Sequence, residues 1–255
     1  MIEMINVFSL ITGILISSIA AYLGTLMLSR RMSLVAGPLG HLTLPGIALA
    51  LIYGFDISLG AFPFVVLGII IIWLFEMKTK LPMEALTAVV FASGVAIAFL
   101  FLPIEQAEEA LVGDISRVGF EDMVVTLFFS ILIFAVLRKS YSKIVLINIS
   151  EDLAKVQGID VKKYNFIYLS LIAIIVALGV KLVGGLLTAA IVAIPAAASR
   201  NISKNLFEYS LFAILFGALS CVLGIFASQL SNIPAGVLII LVNAAIFSIS
   251  SFFKR

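Results

Sequence analysis

Residues Gly37–Ala50 read GPLGHLTLPGIALA and hold the only histidine of the chain, His41, four residues before the pair Pro45-Gly46. The sequence is apolar for long distances on both sides, so this interruption is expected at or near membrane depth. Pro45 removes a backbone donor and Gly46 loosens a helix, which frees carbonyls close to an imidazole. Within a bilayer such freed groups are tolerated only where they face protein or a watery cavity. A broken helix beside a lone ionisable side chain is the pattern a transport site leaves in a sequence. Gly37, His41, Pro45 and Gly46 are therefore candidate pathway residues.

Composition sets the class. The chain has 255 residues, 63% hydrophobic and 12% charged, and a mean hydropathy of +1.25. Soluble domains carry about 25% charged residues, so the expected fold is an all-α polytopic membrane protein, a single transmembrane domain over residues 1–255. A net charge of +2 gives no basis for nucleic-acid binding. The one cysteine, Cys221, cannot form an internal disulfide. Residues 1–29 lack a basic start and a small-residue cleavage site and read as a retained first span.

Apolar runs divide the chain into eight or nine expected spans, each needing about 20 residues to cross hydrocarbon. They run near 7–28, 39–53 (short and interrupted), 59–75, 84–102, 123–137, 164–180, 182–198, 206–230 and 233–253. The count depends on whether the sixth and seventh separate at Lys181 and Gly184-Gly185. An acidic loop covers 105–122 and the longest polar connection covers 138–163.

The distribution of Lys and Arg orients this layout. With the amino terminus outside and nine spans, 14 of the 16 basic residues fall inside and only Arg117 and Lys181 fall outside. The inverted arrangement leaves two inside. The 138–163 connection is therefore expected in the cytoplasm, and the acidic loop outside.

Several classes are excluded. No G-x-x-x-x-G-K-[ST] loop occurs, so the chain does not bind ATP in that manner. No hydrolytic carboxylate pair, nucleophile-base set or cysteine-histidine cluster is recognisable, which argues against an intramembrane enzyme and a structural zinc site. A gradient-driven carrier working alone would carry acids buried in its spans, whereas nearly all acids here lie in connections. Energy must come from an ion gradient or a partner protein.

Three further stretches stand out, each with an ordinary reading beside the functional one. Ser150–Lys163, SEDLAKVQGIDVKK, reads as a short polar helix ended by Gly158. It is either a solvated connection or an element a cytoplasmic ATPase grips through Glu151, Asp152, Leu153, Ala154, Val156 and Gly158. GGLLTAAIVAIPAAASR, 184–200, is a small-residue packing surface, or a pathway helix kinked at Pro195. SNIPAGVLIIL, 231–241, repeats the break-then-apolar pattern around Pro234 or simply starts the last span. Asp114 reads as loop solvation, and Glu84 as a first-turn residue complementing a helix dipole.

Taken in order, these stretches resemble the permease subunits of bacterial and archaeal ABC importers for zinc, manganese and iron. The resemblance rests on six segments: GPLGHLTLPGIALA, KLPMEALTAVVFASGVAIAF (80–99), LVGDISRVGFEDM (111–123), SEDLAKVQGIDVKKYN (150–165), KLVGGLLTAAIVAIPAAASR (181–200) and SNIPAGVLIIL. It implies the fold of cobalamin-type importers and a pair of permeases forming one pathway, a homodimer or a pseudo-symmetric pair with a paralogue. It also implies cytoplasmic ATPase subunits docking near 146–163, an external solute-binding protein, and a bacterial or archaeal cell (inner) membrane. ATP would be bound and hydrolysed on the partner subunit. The chain itself would hold no cofactor, and the divalent metal ion would be cargo.

One position departs from the family. Members carry an aspartate four residues before the histidine, and here that position is Gly37. A carboxylate one turn from the imidazole would supply charge to a dehydrating cation, and Gly37 supplies none. The site is then completed by an acid from elsewhere, is weaker, or serves another cargo such as a metal chelate. One imidazole does not discriminate among zinc, manganese and iron.

Overall fold

A computed structural model describes residues 7–29, 40–79, 81, 83–101, 113, 115, 118–231 and 233–253. Gly37, Asp114 and Arg117 lie outside the described residues, as does most of the 105–122 loop. Nine helices are assigned among the described residues and no strand. They are α1 Val7–Ser29, α2 Leu44–Tyr53, α3 Ile57–Thr79, α4 Met83–Phe101, α5 Phe120–Ile149, α6 Glu151–Val156, α7 Val161–Ile202, α8 Leu206–Ser231 and α9 Ala235–Phe252.

Side chains at the connections fix where these helices start. Asp56 Oδ1 accepts from the amides of Ser58 at 2.8 Å and Leu59 at 3.3 Å, opening α3. Asp122 Oδ2 accepts from the amide of Gly119 at 2.8 Å, opening α5. Asp160 Oδ1 accepts from Lys163 N at 3.1 Å before α7. At α8, Asn205 Oδ1 accepts from Glu208 N at 2.8 Å, while the Glu208 carboxylate accepts from Lys204 N at 2.8 Å and from Asn205 Nδ2 at 3.0 Å. Apolar composition makes these segments helical in lipid, and the short polar residues between them decide the boundaries.

Length sorts the helices. Seven stretches are long and apolar enough to cross a membrane: α1, α3, α5, the two halves of α7, α8 and α9. α4 is a shorter apolar helix, and α2, with ten residues, is about 15 Å long. The chain is thus an all-α polytopic membrane protein.

The expected split of the sixth and seventh spans falls at Gly184, whose φ of 78° and ψ of 165° are not helical. A Cβ on Gly179 would meet Thr188 Cγ2 at 3.1 Å, although nine residues of straight helix would separate the two positions by about 13 Å. The chain therefore reverses at Gly184, and α7 is two antiparallel halves. An L side chain rarely adopts that positive φ, and glycine adopts it at no steric cost.

One boundary differs from the sequence reading. The fifth span was expected to end near Leu137, yet α5 continues unbroken to Ile149. Its buried positions, Thr126, Ser130, Ile133, Leu137, Ser140, Ile144 and Ile147, recur at steps of four and three, so one face stays packed beyond the last apolar run. Tyr141 stacks on Tyr22 at 6.2 Å, and Asn148 Nδ2 donates to the Leu26 carbonyl at 3.4 Å. Arg138, Lys139 and Lys143 thus lie on a helix. Composition hid this because charged residues occupy only its outer faces.

α1 and both halves of α7 are the most enclosed spans; α3, α5, α8 and α9 carry most of the apolar surface left for lipid. The core joins Leu23, Leu26 and Met27 of α1 to Ile172 and Val176 of α7, Ile133 and Leu137 of α5, Ile225 of α8 and Ile239 of α9. α2 and α3 form a hairpin in which Gly46 and Gly60 approach so closely that a Cβ on either would collide with the other's carbonyl.

Candidate functional site

His41 lies where the backbone changes course. Gly40 and His41 are helical, Leu42 and Thr43 form a turn, and Leu44 begins α2. Pro45 falls in the first turn of that helix, where its missing donor has no intrahelical partner to lose. It therefore starts a helix rather than breaking one, and the interruption precedes it. Thr43 Oγ1 donates to the Gly40 carbonyl at 2.5 Å, holding the turn. Gly46 serves the close approach of α2 to α3 and does not loosen the helix.

The imidazole is half-buried and faces α4, its centroid 5.1 Å from the ring of Phe91. The next residue, Leu42, inserts between α3 and α4, packed against Gly68 and Gly94. On the other side the Gly40 backbone abuts that of Gly185, immediately past the reversal in α7. Gly113, from the loop after α4, packs against Val183 and Gly184. Two backbone irregularities, the turn before α2 and the reversal in α7, thus meet one residue from His41. Among the described residues no three His, Cys, Asp or Glu side chains gather as a metal site.

A second polar feature was missed in the sequence. Lys181 Nζ lies 2.8 Å from Asp56 Oδ2 and 2.8 and 2.9 Å from the two oxygens of Asp122. One ammonium joins the α2–α3 connection, the first turn of α5 and the last turn of the first half of α7. The charge rule places all three residues on the outside, and the structure brings them to one end, hereafter the outer end. Burial alone would raise the Asp56 carboxyl, but the Lys181 hydrogen bond and charge and the amides of Leu59 and Ser58 hold it below its ordinary value. A cavity of about 530 Å³ opens beside the cluster. The available signal was Lys181 itself, a single cation between two apolar runs; its acids lie 125 and 59 residues away, beyond any local pattern.

The opposite end carries the basic segments. Lys143 Nζ donates to Tyr164 Oη at 2.8 Å, and Asn165 Nδ2 donates to Glu76 Oε1 at 3.4 Å. Here α6 is a single exposed turn and a half, capped by Ser150, whose Oγ accepts from Leu153 N at 3.3 Å. Only Ala154 is buried, wedged against Ile147 and Val161. Glu151, Asp152, Leu153 and Val156 are exposed, Val156 to 85%, and Gly158 leaves the helix with a φ of 74°.

The remaining candidates have plainer positions. Pro195 is buried in the second half of α7, and the break in that element is at Gly184, not at the proline. Pro234 is exposed and caps α9. The side chain of Glu84 is outside the described residues.

The family described as "ABC 3 transport family" matches residues 2–254. The manganese import system permease protein ScaB of Streptococcus gordonii is 29% identical, covering 96% of this chain and 89% of that protein. The high-affinity zinc uptake system membrane protein ZnuB of Haemophilus influenzae is 27% identical, covering 97% and 96%. Among solved structures, PsaBC from Streptococcus pneumoniae in complex with Fab superposes with a TM-score of 0.82 at 28% identity, over 95% of this chain and 89% of that one.

Proposed function

The chain belongs to the ABC 3 transport family, and from that premise we propose that it is the membrane permease subunit of an ATP-driven importer of a divalent transition metal. The observation carrying this reading is the meeting of the turn beside His41 with the reversal at Gly184, which places an imidazole at the junction of α2, α4 and α7. Relatives named for manganese and zinc transport support the cargo class.

In this reading the chain performs no covalent chemistry. ATP is hydrolysed on separate cytoplasmic subunits that engage α6 through Leu153 and Val156. A second permease copy completes the pathway, and an external solute-binding protein delivers the cation to the outer end. The cation loses water on entering and must be released again, so a shallow site with one imidazole and backbone carbonyls suits transit better than a closed cage. A neutral imidazole binds borderline divalent cations of the manganese-to-zinc series, and His41 is the candidate transient contact.

The test is uptake into vesicles containing this chain, with and without its ATPase, each metal being offered free and on the binding protein. Uptake requiring both partners supports the importer and names the cargo. Uptake by the chain alone overturns it in favour of a gradient-driven carrier.

A further inference from the structure

The cavity beside Lys181 is stratified. Its lining holds Asp56, Glu121, Asp122 and Lys181 and is mostly apolar beyond them, including Phe62, Phe129 and Ile174, with the buried hydroxyls of Thr12 and Thr126 among these walls. The polar-to-apolar change has the same register on three helices. Seven residues separate Asp56 from Pro63 on α3, Asp122 from Phe129 on α5, and Lys181 from Ile174 on α7, about 10 Å in each case. The cleft lies between α3 and α5, with α1 and α7 as its floor. Leu59, Phe62 and Val125 at its lips are 70%, 41% and 47% exposed, so it opens sideways into the layer occupied by lipid chains.

A volume of about 530 Å³ is in the range of sites that hold a small organic ligand. Charge at the mouth selects the ligand. Lys181 spends its ammonium on Asp56 and Asp122, leaving three carboxylates against one cation among the described residues that line the cleft. Glu121 is exposed at the rim and forms no ion pair among the described residues. An anionic headgroup would be repelled there, and a headgroup carrying a free ammonium would be paired by Glu121 and the outer face of Asp122.

We propose that this cleft is a binding site for an outer-leaflet phospholipid with a primary-amine headgroup, one acyl chain lying between α3 and α5 and the ammonium at Glu121. The site is separate from the His41 junction and does not depend on the cargo. An occupied cleft would support the outer ends of α3, α5 and α7, the three segments that Lys181 ties together.

The experiment is native mass spectrometry of the full chain, purified with any ATPase subunits that accompany it, delipidated and exposed to phosphatidylethanolamine, phosphatidylglycerol or phosphatidylcholine. The amine lipid is expected to be retained roughly ten-fold better than the glycerol lipid, the effect of one charge-assisted hydrogen bond. Glu121→Gln is expected to bring that ratio toward parity with the fold intact. Val125→Trp, on an exposed lip where added bulk does not strain the core, is expected to lower retention of all three. Equal retention of the three lipids overturns the proposal, as does unchanged retention in Val125→Trp. Disulfide cross-linking of Val125→Cys between two copies in native membranes would also overturn it, by making a second permease the occupant.

Discussion

Lys181 Nζ and Asp122 Oδ1 lie 2.8 Å apart across 59 residues of sequence, and the same ammonium reaches Asp56 at 2.8 Å. The Lys181 side chain is 13% exposed and its partners are 37% and 22% exposed, so the pairs are partly shielded from water. Removing the cation leaves two carboxylates facing each other. Lys181→Met is expected to destabilise the chain by about 1–3 kcal/mol, the range for hydrogen bonds to charged groups, reduced from buried-pair values by the exposure of Asp56. A thermal melt in detergent checks this, and an unchanged melting temperature would show the cluster to be idle.

The same cluster sets an acid limit. The folded-state value of Asp56 is lowered below its ordinary 3.8. Its contribution is therefore fully present above that ordinary value and is lost as pH falls through the lower folded value. No loss from Asp56 is expected between pH 7 and 5. Stability against pH below about 4, compared between the native chain and Asp56→Asn, is the measurement; the variant should lack this part of the acid slope.

Gly184 bears the reversal of α7. A side chain there would have to adopt a φ of 78° with Gly113 packed against the same backbone. Gly184→Ala is expected to cost about 1–3 kcal/mol and to slow transport by disturbing the contact between Gly185 and Gly40. Gly179→Ala provides the comparison, since its helical backbone tolerates a Cβ and the nearest obstacle is the Thr188 side chain at 3.1 Å. Equal loss in both variants would mean that crowding, not the dihedral, is responsible.

Much of this architecture was legible because lipid makes the pattern strict. A run long enough to span must be helical, and the bias of Lys and Arg orients the runs; of the eight or nine runs expected, seven form stretches long enough to cross among the described residues, and those near 39–53 and 84–102 form shorter helices. The ends were harder. α5 ran past its apolar stretch because a four-three spacing of Ser140, Ile144 and Ile147 continues under a charged surface. At the site, Pro45 and Pro195 drew attention because proline signals a break in a single chain segment. The geometry instead assigns the break to the turn before Pro45 and to Gly184. For the Asp56–Asp122–Lys181 cluster only the lone cation was legible, because its acids reach it through tertiary packing across 125 and 59 residues.

At the other end, Val156 tests the proposed ATPase contact without touching the core. It is 85% exposed, and substitutions at such positions change stability by about 0.5 kcal/mol or less. Val156→Glu should keep the melting temperature and lower co-purification of the ATPase by ten-fold or more, as expected when a charge enters an apolar contact without a partner. Ala154→Glu is a poor substitute because Ala154 is 0% exposed and the change would disrupt the Ile147–Val161 packing. Full ATPase recovery with Val156→Glu would move the docking surface away from α6.

His41 is the residue on which the cargo reading depends. Its ring has Phe91 as a neighbour and no cluster of acids among the described residues, so a packing role and a transit role make opposite forecasts. His41→Phe keeps a ring against Phe91 and removes the ligating nitrogens. His41→Gln keeps a polar group and loses the ring. If the imidazole touches the cation, both variants should slow uptake by about ten-fold or more while the ATPase still associates, the loss of one ligand interaction worth roughly 1.4 kcal/mol. If the ring only packs, His41→Phe should transport at the native rate and His41→Gln should lose stability. The pair separates the two roles by comparing uptake with melting temperature. Native uptake in both variants would remove His41 from the pathway.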